Sequence, residues 1–510
     1  MNVLIRADAS HAIGSGHVTR CLTLANVLRD SAVEVSFACR LLPGHLLERL
    51  NAQGWTTYTL PAVYAEQSDL GQDIHAALPW QADITALQAV LPQDRVFDWI
   101  IVDHYGLDQH WQTAARQWAS KIAAIDDLAN RPHAVDLLLD QNFSGTPEAY
   151  APWVNPDCRT LFGPRFAMIR DEFKRDPLGG SLRCQLPGQA QVRRVLVNFG
   201  GFDAAGETWK AMLALDAFAE LEVDFVAGTG NPYWAQLQAM ASGRPKWRVQ
   251  AHTEHFAELM AQADLFIGAG GGTSWERAAL GLPTICIAVA ANQQANAETL
   301  AAIGAHLYLG PRESVSIAMM QQAIAVLVAN QGLRQSFAEH SHRLVDGLGA
   351  KRVAAALQGE YLRLRLATLA DARLLFDGRN AQAVRRVSVQ SQPIGWADHL
   401  TWLAVTLADD QRLLLIAEAG DGPVGVLRYD LSGSRADVSL YLLEGRFGLG
   451  WGRALLRKGE QFVKACWPQL YALNAIVLPD NQASINLFRE AGYVQADCRF
   501  ERALKDHPDD

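Results

Sequence analysis

Ile13-Gly14-Ser15-Gly16-His17-Val18-Thr19-Arg20-Cys21-Leu22-Thr23-Leu24-Ala25 stands just after the apolar run Val3-Leu4-Ile5, so a strand, a glycine-rich turn and a helix follow one another. Val18, Cys21, Leu22, Leu24, Ala25 and Leu28 recur with helical period, which places His17 in the first helical turn. Unpaired backbone N–H groups and the positive end of the helix dipole disfavour a second proton there. The spacing therefore predicts an imidazole largely neutral near pH 7 and able to accept a proton. Gly14 and Gly16 allow positive φ and let a phosphate or sugar approach the backbone closely. The competing reading is a capping loop whose histidine only packs; a loop on a rigid scaffold favours the functional one.

Outward from this stretch, Val33–Ala38, Trp99–Val102, Ile122–Ile125 and Leu137–Leu139 are short β-rich runs separated by helical patterns, as far as Phe173. The alternation predicts a parallel sheet covered on both faces, with ligands at the carboxyl ends of its strands. Asp8, Asp103-His104-Tyr105, Asp126-Asp127 and Gln141-Asn142 stand at those ends and are expected to face one crevice. Taken singly, Asp103 and Asp127 are equally readable as helix-cap or turn residues. Lys174–Val192, with Pro177, Gly179, Gly180, Pro187 and Gly188, reads as a linker. After it Val195-Leu196-Val197-Asn198-Phe199-Gly200-Gly201 repeats the strand-then-glycine layout, and Phe225–Gly228 and Leu265–Gly268 follow.

The expected fold class is α/β, with two Rossmann-like halves over 1–175 and 190–358 and an α+β domain over 361–505. At 510 residues the chain exceeds one core, and 49% apolar content is ample for several. No apolar run is long enough to span a bilayer or serve as a signal peptide, which predicts a soluble, cytoplasmic protein without a membrane partner. Seven scattered cysteines (Cys21, Cys39, Cys158, Cys184, Cys286, Cys466, Cys498) lack any C-x-x-C pair and are expected as reduced thiols. A net charge of −9 with no basic block argues against nucleic acid as a partner. His252 and His255 share a helical face but lack a third ligand nearby, so no metal is expected. The sequence is silent on oligomeric state.

The densest motif of the second half is Gly268-Ala269-Gly270-Gly271-Gly272-Thr273-Ser274-Trp275-Glu276-Arg277-Ala278-Ala279-Leu280-Gly281-Leu282-Pro283. Consecutive glycines expose N–H groups at a helix start, which holds a diphosphate with no cation required, and the hydroxyls of Thr273 and Ser274 add donors. Glu276, one turn in, is placed to accept both hydroxyls of a ribose. Asn292, Gln293, Gln294 and Asn296 supply amides for sugar or phosphate oxygens. A uridine diphosphate end fits this set.

Arg6-Ala7-Asp8-Ala9-Ser10 with Gly14–His17, then Asp103-His104-Tyr105, Asp126-Asp127-Leu128, Asn198–Gly201 and Gly270–Pro283, resemble the UDP-sugar hydrolases of pseudaminic acid biosynthesis, over roughly 1–350. Those enzymes in turn look like GT-B glycosyltransferases, above all the lipid-linked N-acetylglucosaminyl transferase of peptidoglycan synthesis. The resemblance implies that UDP-2,4-diacetamido-2,4,6-trideoxy-β-L-altropyranose is split with inversion into UDP and 2,4-diacetamido-2,4,6-trideoxy-L-altrose. It implies His17 as the base. Gly14, Ser15, Gly16, Asp103, Tyr105, Asp127, Asn198, Gly200, Gly201, Gly271, Gly272, Thr273, Ser274, Glu276, Asn292 and Gln293 would line the substrate. A GT-B transferase that passes the sugar to an acceptor is the rival reading, and a non-enzymatic UDP-sugar binder the third.

After the helical stretch Met319–Leu357, a new pattern starts at Leu362–Leu366, with strands Leu413–Glu418, Gly425–Tyr429 and Val438–Leu442. Gly448-Leu449-Gly450-Trp451-Gly452 then opens a helix, and Val477-Leu478 reads as a strand before the cap at Asn481 and the helix that Gly492 stops. These pieces resemble the GNAT acetyltransferases. The resemblance implies acetyl-CoA as co-substrate, its pyrophosphate on Gly448, Gly450 and Gly452, with Asn481 touching it. Arg379-Asn380, Val384-Arg385, Ser388, His399 and Trp402 further resemble the acceptor side of GNAT enzymes that act on amino sugars, which implies a bifunctional chain. Phe447 stands where a basic residue or glutamine usually opens the pyrophosphate loop, and Phe488 where a tyrosine acid usually stands.

Overall fold

The computed structural model describes residues 1–11, 13–62, 79–173, 191–200, 203, 205–251, 253 and 255–495. The chain divides into two compact units, Met1–Ala354 and Ala355–Asp510. Gly201, His252 and nearly all of the expected linker lie outside the described residues.

The first unit holds two sheets. In the first, β1 (Asn2–Ala7), β2 (Glu34–Arg40), β3 (Thr56–Leu60), β4 (Phe97–Asp103), β5 (Ala119–Ile125), β6 (Leu137–Asp140) and β7 (Arg159–Phe162) run in the order β3-β2-β1-β4-β5-β6-β7. In the second, β8 (Arg194–Asn198), β9 (Glu222–Val226), β10 (Trp247–Gln250), β11 (Leu265–Ala269), β12 (Thr284–Ala288) and β13 (Leu307–Pro311) run β10-β9-β8-β11-β12-β13. Every neighbouring pair is parallel. Central strands such as β1 and β11 are buried almost end to end, as a sheet covered on both faces requires. Strand order reverses between β1 and β4, and again between β8 and β11. Open α/β sheets bind ligands at the carboxyl ends of such a reversal. Gly268 lets β8 and β11 meet, since a Cβ there would stand 2.1 Å from the Asn198 carbonyl oxygen.

The halves are tied by specific contacts. Trp275 Nε1–H donates to Asn142 Oδ1 at 3.2 Å, and the Phe143 N–H donates to Asn296 Oδ1 at 3.3 Å. The helix Gly349–Gln358 returns to the first half, where Arg352 donates to the Arg165 carbonyl at 2.7 Å. A Cβ on Gly349 would stand 2.1 Å from the Ala167 carbonyl oxygen, so this close seat requires glycine.

The second unit has one sheet, β14 (Arg363–Leu366), β15 (Arg412–Ala419), β16 (Gly422–Ser432), β17 (Arg435–Leu442) and β18 (Ala472–Asn474), in sequence order. The first three pairs are antiparallel and β17–β18 is parallel. That last pairing covers only Arg435–Asp437, while β17 continues to Leu442, so the two strands part beyond Asp437. The strand expected at Val477-Leu478 is therefore corrected to Ala472–Asn474: past the parting, β17 offers no ladder.

Candidate active site

His17 is the second residue of the helix Gly16–Asp30, as its spacing predicts, and Asp103 ends β4. The β1–β4 register, Ala7 opposite Asp103, brings the turn after one strand onto the last residue of the other. His17 Nδ1 lies 2.6 Å from Asp103 Oδ1. A carboxylate only accepts, so the hydrogen of this bond is on Nδ1, and in a neutral ring the lone pair is then on Nε2. Gly14 uses the positive φ open to it (φ +81), and Gly16 is the first residue of the helix.

Arg20, one turn beyond His17 and not singled out by the sequence reading, completes the arrangement. Its Nε and Nη2 donate to Asp103 Oδ2 and Oδ1 at 2.7 and 2.6 Å, and Nη1 reaches Asp127 Oδ2 at 3.3 Å. Nη2 also lies 3.3 Å from His17 Nδ1, but both nitrogens donate to the same carboxylate oxygen, so this is a contact and not a hydrogen bond. Burial works to raise the Asp103 carboxyl; Arg20 and then His17 override it and hold the group far below the usual carboxylate range. Tyr105 stands edge-on to His17, ring centroids 4.7 Å apart. Burial, and then the Asp127 carboxylate it hydrogen-bonds, push its phenol far above the ordinary value, so it stays protonated. Asn292 Nδ2 of the second half lies 3.4 Å from the Tyr105 hydroxyl.

Not every acid at the strand ends joins this site. Asp8 is buried with Arg6 Nη2 at 2.8 Å and the Arg40 N–H at 2.7 Å, and Asp126 takes Arg131 and the Tyr150 hydroxyl, 2.8 and 2.9 Å away. Gln141 Oε1 accepts the Met168 N–H. The expectation that all of these face one crevice is corrected. Asp103 and Tyr105 meet His17 and Asp127 joins them through Arg20 and Tyr105, while Asp8, Asp126 and Gln141 brace the fold.

In the second half, the turn after β11 leads into the helix Thr273–Leu280. The Gly270 N–H is taken by Gln293 Oε1, which also accepts from Val289. Gly271, Gly272 and Thr273 have no acceptor for their N–H groups among the described residues, which leaves three converging donors at a helix start. Gly200 (φ +99), after β8, faces open space. Asn198 spends its amide N–H on the Val226 carbonyl. Glu276 is not unattended: Arg170 grips it with a fork, Nε to Oε1 at 2.7 Å and Nη2 to Oε2 at 3.1 Å. Any ribose on Glu276 shares it with that guanidinium or displaces it.

In the second unit, Gly448 (φ +70) and Gly450 (φ +89) open the helix Trp451–Cys466, with open space where a Cβ would go. At Gly452 a Cβ would stand 2.9 Å from Leu487 of the helix Gln482–Glu490. Asn481 caps that helix by accepting the Ser484 N–H at 3.1 Å. Arg446 is drawn to Asp421 at 2.8 Å, and Phe447 is partly exposed in the loop.

Residues 195–346 match the model of the glycosyltransferase family 28 C-terminal domain, and 381–493 that of the GNAT acetyltransferase family. The chain joins a GT-B body to a GNAT domain. The spore coat polysaccharide biosynthesis protein SpsG of Bacillus subtilis is 28% identical over 212 residues, 41% of this chain and 61% of that protein, so the match spans under two thirds of that relative's length. The UDP-2,4-diacetamido-2,4,6-trideoxy-beta-L-altropyranose hydrolase of Campylobacter jejuni is 26% identical over 309 residues, 60% of this chain and 97% of that protein. An uncharacterized protein of Methanocaldococcus jannaschii aligns over both units, 21% identical across 97% of this chain and 96% of its own. The crystal structure of Os79 from O. sativa shares the fold of the GT-B body, with a TM-score of 0.51 at 13% identity over 71% of this chain and 100% of that one. Family 28 and GNAT domains act on small molecules, and GNAT domains use acetyl-CoA as co-substrate. Among the described residues no cluster of three or more His, Cys, Asp or Glu side chains is arranged to hold a metal ion, and no helix is long and apolar enough to cross a membrane.

Proposed function

We propose that the GT-B body hydrolyses UDP-2,4-diacetamido-2,4,6-trideoxy-β-L-altropyranose to UDP and 2,4-diacetamido-2,4,6-trideoxy-L-altrose. Residues 1–175 supply the base and 190–358 hold the nucleotide. The observation that carries this reading is the Asp103–His17 pair at the strand-order reversal of one sheet, with the open N–H groups of Gly271, Gly272 and Thr273 at the reversal of the other. Asp103 fixes the Nδ1–H tautomer, so Nε2 takes a proton from water as that water attacks the anomeric carbon. The C–O bond to the diphosphate breaks on the opposite face, giving inversion. The departing negative charge is met by backbone donors already in place. Asp103, shared between His17 and Arg20, keeps a negative charge against the imidazolium that forms. Tyr105, whose hydrogen is committed to Asp127, offers its oxygen as an acceptor to a sugar N–H or O–H, and Asn292 beside it brings the second half to the same substrate. Glu276 orients the ribose.

The C-terminal domain, residues 361–505, transfers acetyl from acetyl-CoA to the 4-amino group of UDP-4-amino-4,6-dideoxy-N-acetyl-β-L-altrosamine, making the substrate that the GT-B body then cleaves. Gly448 and Gly450 hold the pyrophosphate of the cofactor. The reaction sequence is cytoplasmic, where both UDP-sugars and acetyl-CoA are supplied, and needs no metal.

An NMR time course with the diacetamido UDP-sugar, without acceptor and in excess chelator, tests the main reading: UDP and free sugar appear together. Turnover only when a sugar acceptor is added would establish the rival GT-B transferase reading.

A further inference from the structure

Arg277 is 2% exposed, and no carboxylate lies within ion-pair distance of it among the described residues. Its guanidinium donates to neutral groups only: the Ala269 carbonyl at 2.9 Å, the Thr273 hydroxyl at 3.3 Å and the Ser274 hydroxyl at 2.8 Å. It also lies over the Phe266 ring, 4.6 Å from the centroid. Burying a cation without a direct ion pair is costly, and burial lowers the Arg277 pKa from its ordinary value even though Cys286 and Glu276 act in the opposite sense. Arg6 and Arg40 of this unit, buried as deeply, are paired, Arg6 with Asp8 and Asp83 and Arg40 with Asp83, whereas Arg334, also 2% exposed, donates to the Leu327 and Val328 carbonyls. Arg277 differs from them in its position directly behind the glycine turn.

All three of its partners belong to that turn. Ala269 is the last residue before the glycines, and its carbonyl, if left unpaired, would present negative charge to an arriving anion. Thr273 opens the helix. Its hydroxyl accepts from Arg277 and so keeps its own hydrogen for another acceptor. The guanidinium therefore neutralises the carbonyl that precedes the glycines and leaves a hydroxyl free to donate, and it adds a positive charge at the helix start that carries the open N–H groups.

We propose that Arg277 is the resident counter-charge for the diphosphate, a positioning residue that never touches the nucleotide and gains its anionic partner only when one occupies the turn. The proposal rests on the reading of this turn as a nucleotide diphosphate site.

The test titrates the full-length protein and its Arg277→Met variant with UDP, UMP and uridine, and records the thermal midpoint of each without ligand. Loss of about 10- to 100-fold in UDP affinity, a smaller loss for UMP, unchanged uridine binding and a ligand-free midpoint no lower than wild type are expected. Equal weakening of UDP and uridine, or a lowered midpoint with UDP affinity intact, would overturn the proposal in favour of a purely structural tie. Should the Met variant fail to fold, Arg277→Lys and Arg277→Gln decide: Lys keeping UDP affinity where Gln loses it supports a role for charge, and equal affinities overturn it. Wild-type protein that binds no UDP would instead sink the reading of the turn itself.

Discussion

Asp103 accepts from both His17, one residue into a helix, and Arg20, one turn further along it, and so fixes the imidazole and its counter-charge with a single carboxylate. The contact spans 86 residues of sequence and exists because β1 and β4 are neighbours. If this carboxylate selects the tautomer, Asp103→Asn removes the charge while keeping the shape, and an amide can offer Nδ1 a donor in place of an acceptor. UDP release should fall by two or more orders of magnitude, as with other acid–histidine pairs, and UDP affinity should stay within a few-fold. His17→Ala should nearly abolish turnover with the same unchanged affinity. Stopped-flow release assays beside UDP titrations check both, and an Asp103→Asn variant with most of its turnover would remove Asp103 from the mechanism.

The Arg170–Glu276 fork yields a paired prediction. A ribose that binds Glu276 makes charge-assisted hydrogen bonds, so Glu276→Ala should weaken UDP by about 1–3 kcal/mol. Arg170 competes for the same oxygens and is partly exposed, so Arg170→Ala should leave UDP affinity unchanged or tighten it. If both variants lose affinity to the same extent, the pair is a brace and Glu276 does not touch the ribose.

Asp140, at the end of β6, is pushed up to about 7 by burial first, with Asp127 and Asp126 adding to it. Its ordinary value in an unfolded chain is about 4. Between those limits the folded protein keeps a proton that the unfolded chain releases. The group's contribution to stability is therefore complete below about pH 4 and is lost as pH rises to about 7, at about 1 kcal/mol per pH unit. Asp140→Asn carries a permanent donor in place of the proton. Thermal melts across this range should show the variant gaining on wild type as pH rises, whereas parallel curves would contradict the shift.

Much of the fold is legible as apolar runs, because central strands of a doubly covered sheet are buried on both faces: Val3–Ile5, Trp99–Val102 and Leu265–Gly268 all lie within such strands. The edge strands Thr56–Leu60, Arg159–Phe162 and Trp247–Gln250 carry polar residues that face solvent and leave no such run. At the candidate site, His17, Asp103 and Tyr105 are readable as separate residues at strand ends, but their convergence depends on strand order, which periodicity does not encode. Arg20 had a signal, its one-turn spacing from His17 on one helix face. Arg170 had none, since its partner lies 106 residues away. In the C-terminal domain, Gly448 and Gly452 look alike in a glycine-rich motif, yet one faces open space and the other seats Leu487.

That contrast shapes the last prediction, on the fused activities. If the loop opening the Trp451–Cys466 helix holds the acetyl-CoA pyrophosphate, Gly450→Leu fills the open space beside it and should abolish acetyl-CoA binding. Because Gly450 sits at φ +89, the same change also strains the backbone, so it needs a comparison. Gly452→Ala drives a Cβ into Leu487 and should lower the thermal midpoint by several degrees, with acetyl-CoA affinity in the folded fraction little changed. Phe488 supplies no acid for the departing thiolate, and a CoA thiolate leaves tolerably without one, so transfer should be slow but measurable. The decisive assay incubates the full chain with acetyl-CoA and the 4-amino UDP-sugar and follows free thiol and UDP together. Thiol should appear first, and UDP should follow as the acetylated sugar is cleaved. Release of UDP from the pre-acetylated sugar with no thiol from the amine would leave the hydrolase reading standing and assign the GNAT domain no acetyl transfer to this amine.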